Sequence, residues 1–345
     1  MWLAAGQYGD ALWVVLLCAF SWTIRNRKAR FCVPCSIGLL LLLVLAAFHS
    51  RPLWSSETGD GRSLQSRPAR IFKVPPTFYE TGLEIRDIIT SLAVDSEHKV
   101  WLASASSGPY VYAPATNEVD NLLEPDTIYG LFADHSAVWV LTSSGAHLYQ
   151  ASGIIRSLGF PNGSIPVAGA VRPDGSLLFS TNTALFQVRP ENLAMTSLPF
   201  SHPLTRILPA PDNSVLLVGP QRVWRMGTRA AEQLSGCGQQ TEFAAALQIR
   251  DELFLSTTSD GILKKAGQHC ELVSFARSSL NSFQPGCAVS HRGIPCFGAA
   301  DGSVVFFKNN QWKRMKISRV PVTALASDGS TLYAWTDGQL LAVRI

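Results

Sequence analysis

The sequence predicts an all-β protein: a seven-bladed β-propeller preceded by one or two N-terminal transmembrane helices. Three observations predict it. A pattern repeats every 40 residues or so after residue 70. Each period holds about four short runs of β-branched and aromatic residues. The first 50 residues are apolar and interrupted by a basic cluster.

The repeat is plainest in residues 88–112, IITSLAVDSEHKVWLASASSGPYVY. Runs at 88–94, 99–104 and 109–113 are divided by the turn Asp95-Ser96-Glu97-His98 and by a Ser/Gly loop ending at Gly108. Leu92, Asp95, Trp101, Gly108 and Tyr112 return in the next copy as Leu131, Asp134, Trp139, Gly145 and Tyr149. Later copies keep Asp174, Asp212, Asp251 with Gly261, Gly302, and Asp328 with Gly338. The acids from Asp95 to Asp251 are 39, 40, 38 and 39 residues apart, the spacing of propeller blades. Fourth runs at 118–123, 154–158, 271–275 and 312–317 are the expected outer strands. No amphipathic helical stretch follows residue 50, which argues against a βαβ solenoid.

In chain order, residues 11–24 and 31–48 are the candidate spans, and the second contains the unbroken apolar run 39–47. Eighteen helical residues reach ~27 Å, close to the hydrocarbon thickness. Arg25, Arg27, Lys28 and Arg30 lie between the spans and should stay cytoplasmic. Either both segments form a hairpin or the second is a signal anchor; in both cases the propeller is exported. No small-x-small cleavage site precedes Arg51, so an uncleaved anchor is expected. Residues 51–70 read as a polar flexible linker.

Residues 71–345 then supply seven copies of about 39 residues, enough for one domain with a sizeable core. The last copy ends one strand short of a full blade. Residues 70–74, RIFKV, are expected to close it by pairing beside 340–345 and covering the open edge. The net charge of +4 misleads: residues 1–70 hold 8 Lys/Arg and 3 Asp/Glu, and the propeller holds 21 and 22. A nearly neutral propeller has no basic field for nucleic acid.

The motif D-x-x-x-x-(x)-W followed by W-[LV]-[AL]-[ST]-x-x-(x)-G resembles the repeats of the two-component regulator propeller family. So does GFPNGSIPVAGAVRPDGSLLFST from Gly159. The resemblance covers about residues 71–345 and implies an extracytoplasmic sensory module, here without an attached kinase.

Cys32-Val33-Pro34-Cys35 opens a span, where two small apolar residues or an S-acylation site fit better than a redox pair. Cys287 and Cys296 take the places of Leu92 and Trp101. They are two core thiols or one bridge; a tight turn at His291-Arg292 would set them opposite, and in an oxidising compartment a cross-strand disulfide is expected. Cys237 and Cys270 fall in outer strands of adjacent blades. Asn162-Gly163-Ser164 is a glycosylation sequon in a predicted loop.

No zinc spacing, nucleophile elbow or phosphate-binding glycine loop occurs, so neither metal nor cofactor is expected. The starts of the inner strands carry no Asp, Glu, Asn or His to hold a cation in the channel, although Asp87, Asp126 and Glu242 in nearby loops could reach in. These readings point to a membrane-anchored sensor or interaction module without catalysis. The alternative is a lactonase-like hydrolase or a lyase. The expected partners are the membrane and a protein or a polar small ligand. In a propeller, the loops from strand two to three and the blade-to-blade connections share one face, and the candidate binding residues there are Arg86, Asp126, Tyr129, His147, His202, Arg206 and Arg222.

Overall fold

Short β-rich runs punctuated by Asp, Asn and Gly fold here as strands of three to nine residues. The computed structural model describes residues 66–345 except 123–126, 135–136, 151–152, 161–163, 183, 211–213, 228–230, 235–241, 268 and 276–281. The predicted spans 11–24 and 31–48 lie outside the described residues. Among the described residues, no helix is long and apolar enough to cross a membrane.

The strands form seven antiparallel meanders, the blades of the predicted propeller. Their inner strands are Ile89–Val94, Ile128–Asp134, Pro166–Val171, Arg206–Pro209, Phe243–Ile249, Phe283–His291 and Ala324–Ser327, for blades 1 to 7 in turn. Each touches the inner strands on either side, and the seventh touches the first, so the ring is closed. Aromatic and aliphatic side chains fill the wedges between blades. Trp101 of blade 1, for example, is fully buried and packs in one cluster with Leu131, Val138 and Val140 of blade 2.

The repeated residues have separate physical roles. The Glu97 and Lys99 amides donate to Asp95 Oδ1 at 3.0 and 2.9 Å, and Trp101 Nε1–H donates to Asp95 Oδ2 at 2.8 Å. In blade 1 the acid thus ties its own turn to the core tryptophan. The repeated glycine leads into the third strand. At Gly302 the backbone has φ +81°, and a Cβ would lie 2.3 and 2.4 Å from the carbonyl oxygens of Val320 and Ser318.

Closure differs from the sequence expectation. The fourth strand of blade 7 is Phe78–Glu84, antiparallel to Gln339–Val343, with Phe78 opposite Val343. Residues 70–74 do not pair beside 340–345; Ile71–Val74 instead lies parallel to Gln311–Lys316 on the outer edge of blade 6. Connection length decides between them. Phe78–Glu84 leaves only 85–88 before the inner strand of blade 1, whereas 70–74 would leave a long excursion. The linker boundary moves too, because Ser66–Ala69 is a parallel fifth strand on blade 5, against residues 272–275. The segment before blade 1 therefore straps the outer edges of three consecutive blades and covers two that would otherwise be open.

The expected Cys287–Cys296 bridge is not formed; both are free, buried thiols. The tight turn is Arg292-Gly293, with φ of 52° and 73°, not His291-Arg292. Two positive φ values match the twist of a two-residue hairpin, and glycine at the second position favours this register. Val289 therefore stands opposite Cys296, and Cys287 packs against Gly298 instead. Cys270 is disulfide-bonded to a cysteine outside the described residues.

Candidate functional site

Five of the seven inner strands carry a bulge at the same place, one residue in from their upper end in four of them. The upper face is taken as the one bearing the strand-two-to-three loops. Bulges re-aim side chains at barrel rims, and here they act on the mouth of the channel. The bulged residues Thr90, Tyr129 and Val167 are exposed. Blade 6 has three residues there, Gln284-Pro285-Gly286.

Apolar side chains collect at this mouth. Among the described residues, seven large hydrophobics are more than about a third exposed, and five of them belong to the starts of inner strands or the connections just before them. These are Ile88 at 72%, Tyr129 at 39%, Ile165 at 51%, Val167 at 44% and Val320 at 36%. They come from blades 7, 1, 2 and 3, so they occupy one side of the ring.

The other side carries a cation. Arg206 stands where the other inner strands have Ser91, Gly130, Ala168, Ala245, Cys287 and Ala324, all small. Its guanidinium passes blade 5, whose inner strand there is Ala244-Ala245-Ala246, and reaches blade 6. At Gly286, φ +72°, an added Cβ would lie 1.8 Å from Arg206 Nη2. Glycine at that bulge thus leaves the space that the guanidinium fills. Among the described residues, no hydrogen-bond acceptor or carboxylate partners the Arg206 side chain. Burial pushes its pKa down, and the one titratable group acting against this is Cys287. The Cys287 thiol is itself pushed up to about 12 by burial and stays neutral. Arginine nevertheless remains charged at any ordinary pH.

The remaining predicted residues divide. Arg86 is exposed in the connection from blade 7 to blade 1, and Arg222 is exposed in a turn where the Gly219 amide donates to the Arg222 carbonyl at 2.8 Å. His202 is exposed and stacks on Trp224, with centroids 5.0 Å apart and planes within 10°. His147 lies within the third strand of blade 2. Its Nε2 is 3.1 Å from Thr142 Oγ1 and its Nδ1 is 2.9 Å from Ser157 Oγ, so both nitrogens are occupied inside the blade. Asp126 is outside the described residues. Asp87 takes hydroxyl protons from Ser104 and Ser106 and the Ile88 amide at 2.7 Å. Burial raises its pKa, but the hydrogen bonds outweigh this and hold it at about 2. Asp87 therefore serves its own rim instead of reaching into the channel. Among the described residues, no three His, Cys, Asp or Glu side chains gather as a metal site would require.

Sequence reasoning named Arg206 and Tyr129 but missed Ile88, Ile165, Val167, Val320 and Gly286. Reading bulge positions blade by blade could have found Val167 and Gly286, because Thr90, Tyr129 and Val167 are equivalent in the repeat.

No family model matches the chain, and no curated protein matches it. Solved structures do. Virginiamycin B lyase from Staphylococcus aureus, in a catalytically inactive form with quinupristin, is similar with TM-score 0.68 at 12% identity, over 78% of this chain and 99% of that one. The extracellular domain of a hybrid two-component system protein, BT4673 of B. thetaiotaomicron, gives TM-score 0.62 at 15% identity, over 78% of this chain and 40% of that one. The computationally designed protein Ika8 gives TM-score 0.59 at 15% identity, over 76% of this chain and 98% of its own. Identities this low establish the propeller fold alone. The extracellular domain of a two-component system protein, a lyase and a designed protein share that fold, so function must be argued from the site.

Proposed function

We propose that this chain is a membrane-anchored, extracytoplasmic propeller that binds a ligand or partner at the upper channel mouth without transforming it. The observation that carries the reading is the gathering of five exposed apolar side chains and one unpaired arginine at that mouth. Exposed apolar clusters rimmed by polar loops mark binding surfaces. The basic cluster between two apolar segments supports anchoring and export. The Cys270 disulfide suits an oxidising compartment, and the fold shared with the extracellular domain of a two-component system protein fits this setting. A hydrolase or lyase working at the same mouth is the alternative, and it draws on fold likeness to a lyase alone.

The test compares the two faces. Ile88→Asp with Ile165→Asp at the mouth is set against a matched exposed pair in lower-face turns, Ser96→Asp with Ser330→Asp. Membrane partners that co-purify with the wild-type chain should be lost from the mouth variant and kept by the turn variant, with both variants folded. The reverse pattern would place the working face on the other side. Alkaline phosphatase fused at residue 65 should be active in a bacterial host; inactivity would overturn export.

A further inference from the structure

We infer that the channel mouth takes a small apolar carboxylate, its anionic end on Arg206 and its apolar body against Tyr129, Ile165 and Val167. The inference rests on the binding reading above and names the chemical class it requires.

Three features select the class. The first is charge. Arg206 presents a guanidinium fork with no partner among the described residues, held in place by the gap at Gly286. A half-buried cation without a counter-ion carries part of the desolvation cost, and an anion that enters offsets it. The second is valence. Arg206 is the one cation that the inner-strand position offers, because its counterparts are Ser91, Gly130, Ala168, Ala245, Cys287 and Ala324. A single planar fork matches a carboxylate in bidentate geometry, whereas phosphate sites commonly recruit several donors or a helix N-terminus. The third is polarity. The opposing arc of the mouth is apolar, with Tyr129, Ile165 and Val167 all exposed. A bare inorganic anion would leave that surface wet, and an apolar body attached to the carboxylate would cover it. Arg206 lies past the rim, close to blade 6, so the occupant must be narrow enough to enter the channel.

The experiment is calorimetric titration of the full-length chain in nanodiscs with phenylacetate, acetate, inorganic phosphate and phenethylamine. Phenylacetate should bind about 10-fold or more tightly than acetate and than phosphate, and phenethylamine should not bind. Arg206→Gln should weaken phenylacetate by about 10-fold or more at an unchanged thermal midpoint, the scale of a lost charge-assisted hydrogen bond. Tyr129→Ala should weaken phenylacetate about threefold or more and leave acetate unchanged. Equal phenylacetate binding by wild type and folded Arg206→Gln would overturn the inference, as would phosphate binding more tightly than phenylacetate. Absence of phenylacetate binding, with partner recovery still lost in the Ile88/Ile165 variant, would sink the carboxylate and keep the binding face. Failure of both measurements would sink the face as well.

Discussion

On the lower face, Asp95 receives two backbone amides and an indole N–H, and Asp328 receives the Ser330 and Thr331 amides at 2.6 Å each. Asp328 also meets His98 Nδ1 of blade 1 at 3.3 Å, while Arg292 of blade 6 donates to the Gly329 and Ser330 carbonyls of blade 7. At the upper mouth, Arg206 has no such partner among the described residues, and five large apolar side chains meet solvent. The same blade repeat produces both faces. The difference teaches that lower-face polar residues serve turn geometry and blade-to-blade ties, whereas the mouth keeps groups that folding alone does not use. Loops on a rigid scaffold are free to carry binding groups for this reason.

The comparison breaks first at Asp95. Asp95→Ala leaves two amides and a buried indole N–H without their acceptor, so stability should fall by about 2–4 kcal/mol. Urea unfolding of the purified chain measures this, and a loss below about 1 kcal/mol would remove the structural role assigned to the repeated acid. Blade 2 sharpens the point. Asp134 and Trp139 are one residue closer than Asp95 and Trp101, and among the described residues the buried Trp139 indole N–H has no hydrogen-bond partner. Trp139→Phe should therefore cost less than Trp101→Phe, by about 1 kcal/mol, in the same assay.

Asp87 tests the division, because it lies on the upper rim yet is fully engaged, as Asp301 is with Arg314. Its folded pKa, about 2, is below the ordinary carboxylate value of 3.8, so between those values the unfolded chain binds more protons than the folded one. Its contribution is complete above about pH 4 and is lost as pH falls toward 2. Asp87→Asn should flatten the acid side of the thermal-midpoint profile in that window and leave the profile above pH 5 parallel to wild type. An unchanged acid limb would mean that other carboxylates carry it.

The blades were legible because period, turn acid and strand chemistry recur, and the acid has a local cause: Asp95, Asp174 and Asp328 each accept amides of their own turn. The strap was not. Ile71-Phe72-Lys73-Val74 reads as a strand, but local sequence does not say which edge it joins. Phe78–Glu84, with Gly82 inside it, is weaker as a strand and is selected by its short path to blade 1. The cysteine pairing failed on one residue of turn register, which moves opposing partners by two. Arg206 and Tyr129 could be placed on the upper face from the repeat, but the reach of Arg206 to Gly286 joins non-adjacent blades through the folded ring. His147 was placed on the right side of blade 2, yet its hydrogen bonds to Thr142 and Ser157 depend on packing within the sheet.

The smallest expected effect on stability decides most about the site. If the guanidinium of Arg206 holds the channel together, removing it should destabilise the ring; if it awaits an anion, removing it should not. Arg206→Met keeps a stem of similar length without the charge, so the packing of the stem is largely preserved. The folded state then no longer carries a partly desolvated, unpaired cation. Replacing buried ionic groups by apolar ones of similar size is commonly neutral or stabilising. Arg206→Met should therefore leave stability unchanged or raise it by up to about 1 kcal/mol, in contrast to Asp95→Ala. Parallel urea titrations of the two variants give the comparison directly. A loss above about 1 kcal/mol for Arg206→Met would make the arginine part of the scaffold and erase the difference between the faces. A neutral or favourable change, alongside weakened phenylacetate binding by Arg206→Gln, would identify a charge retained for binding at a cost in stability.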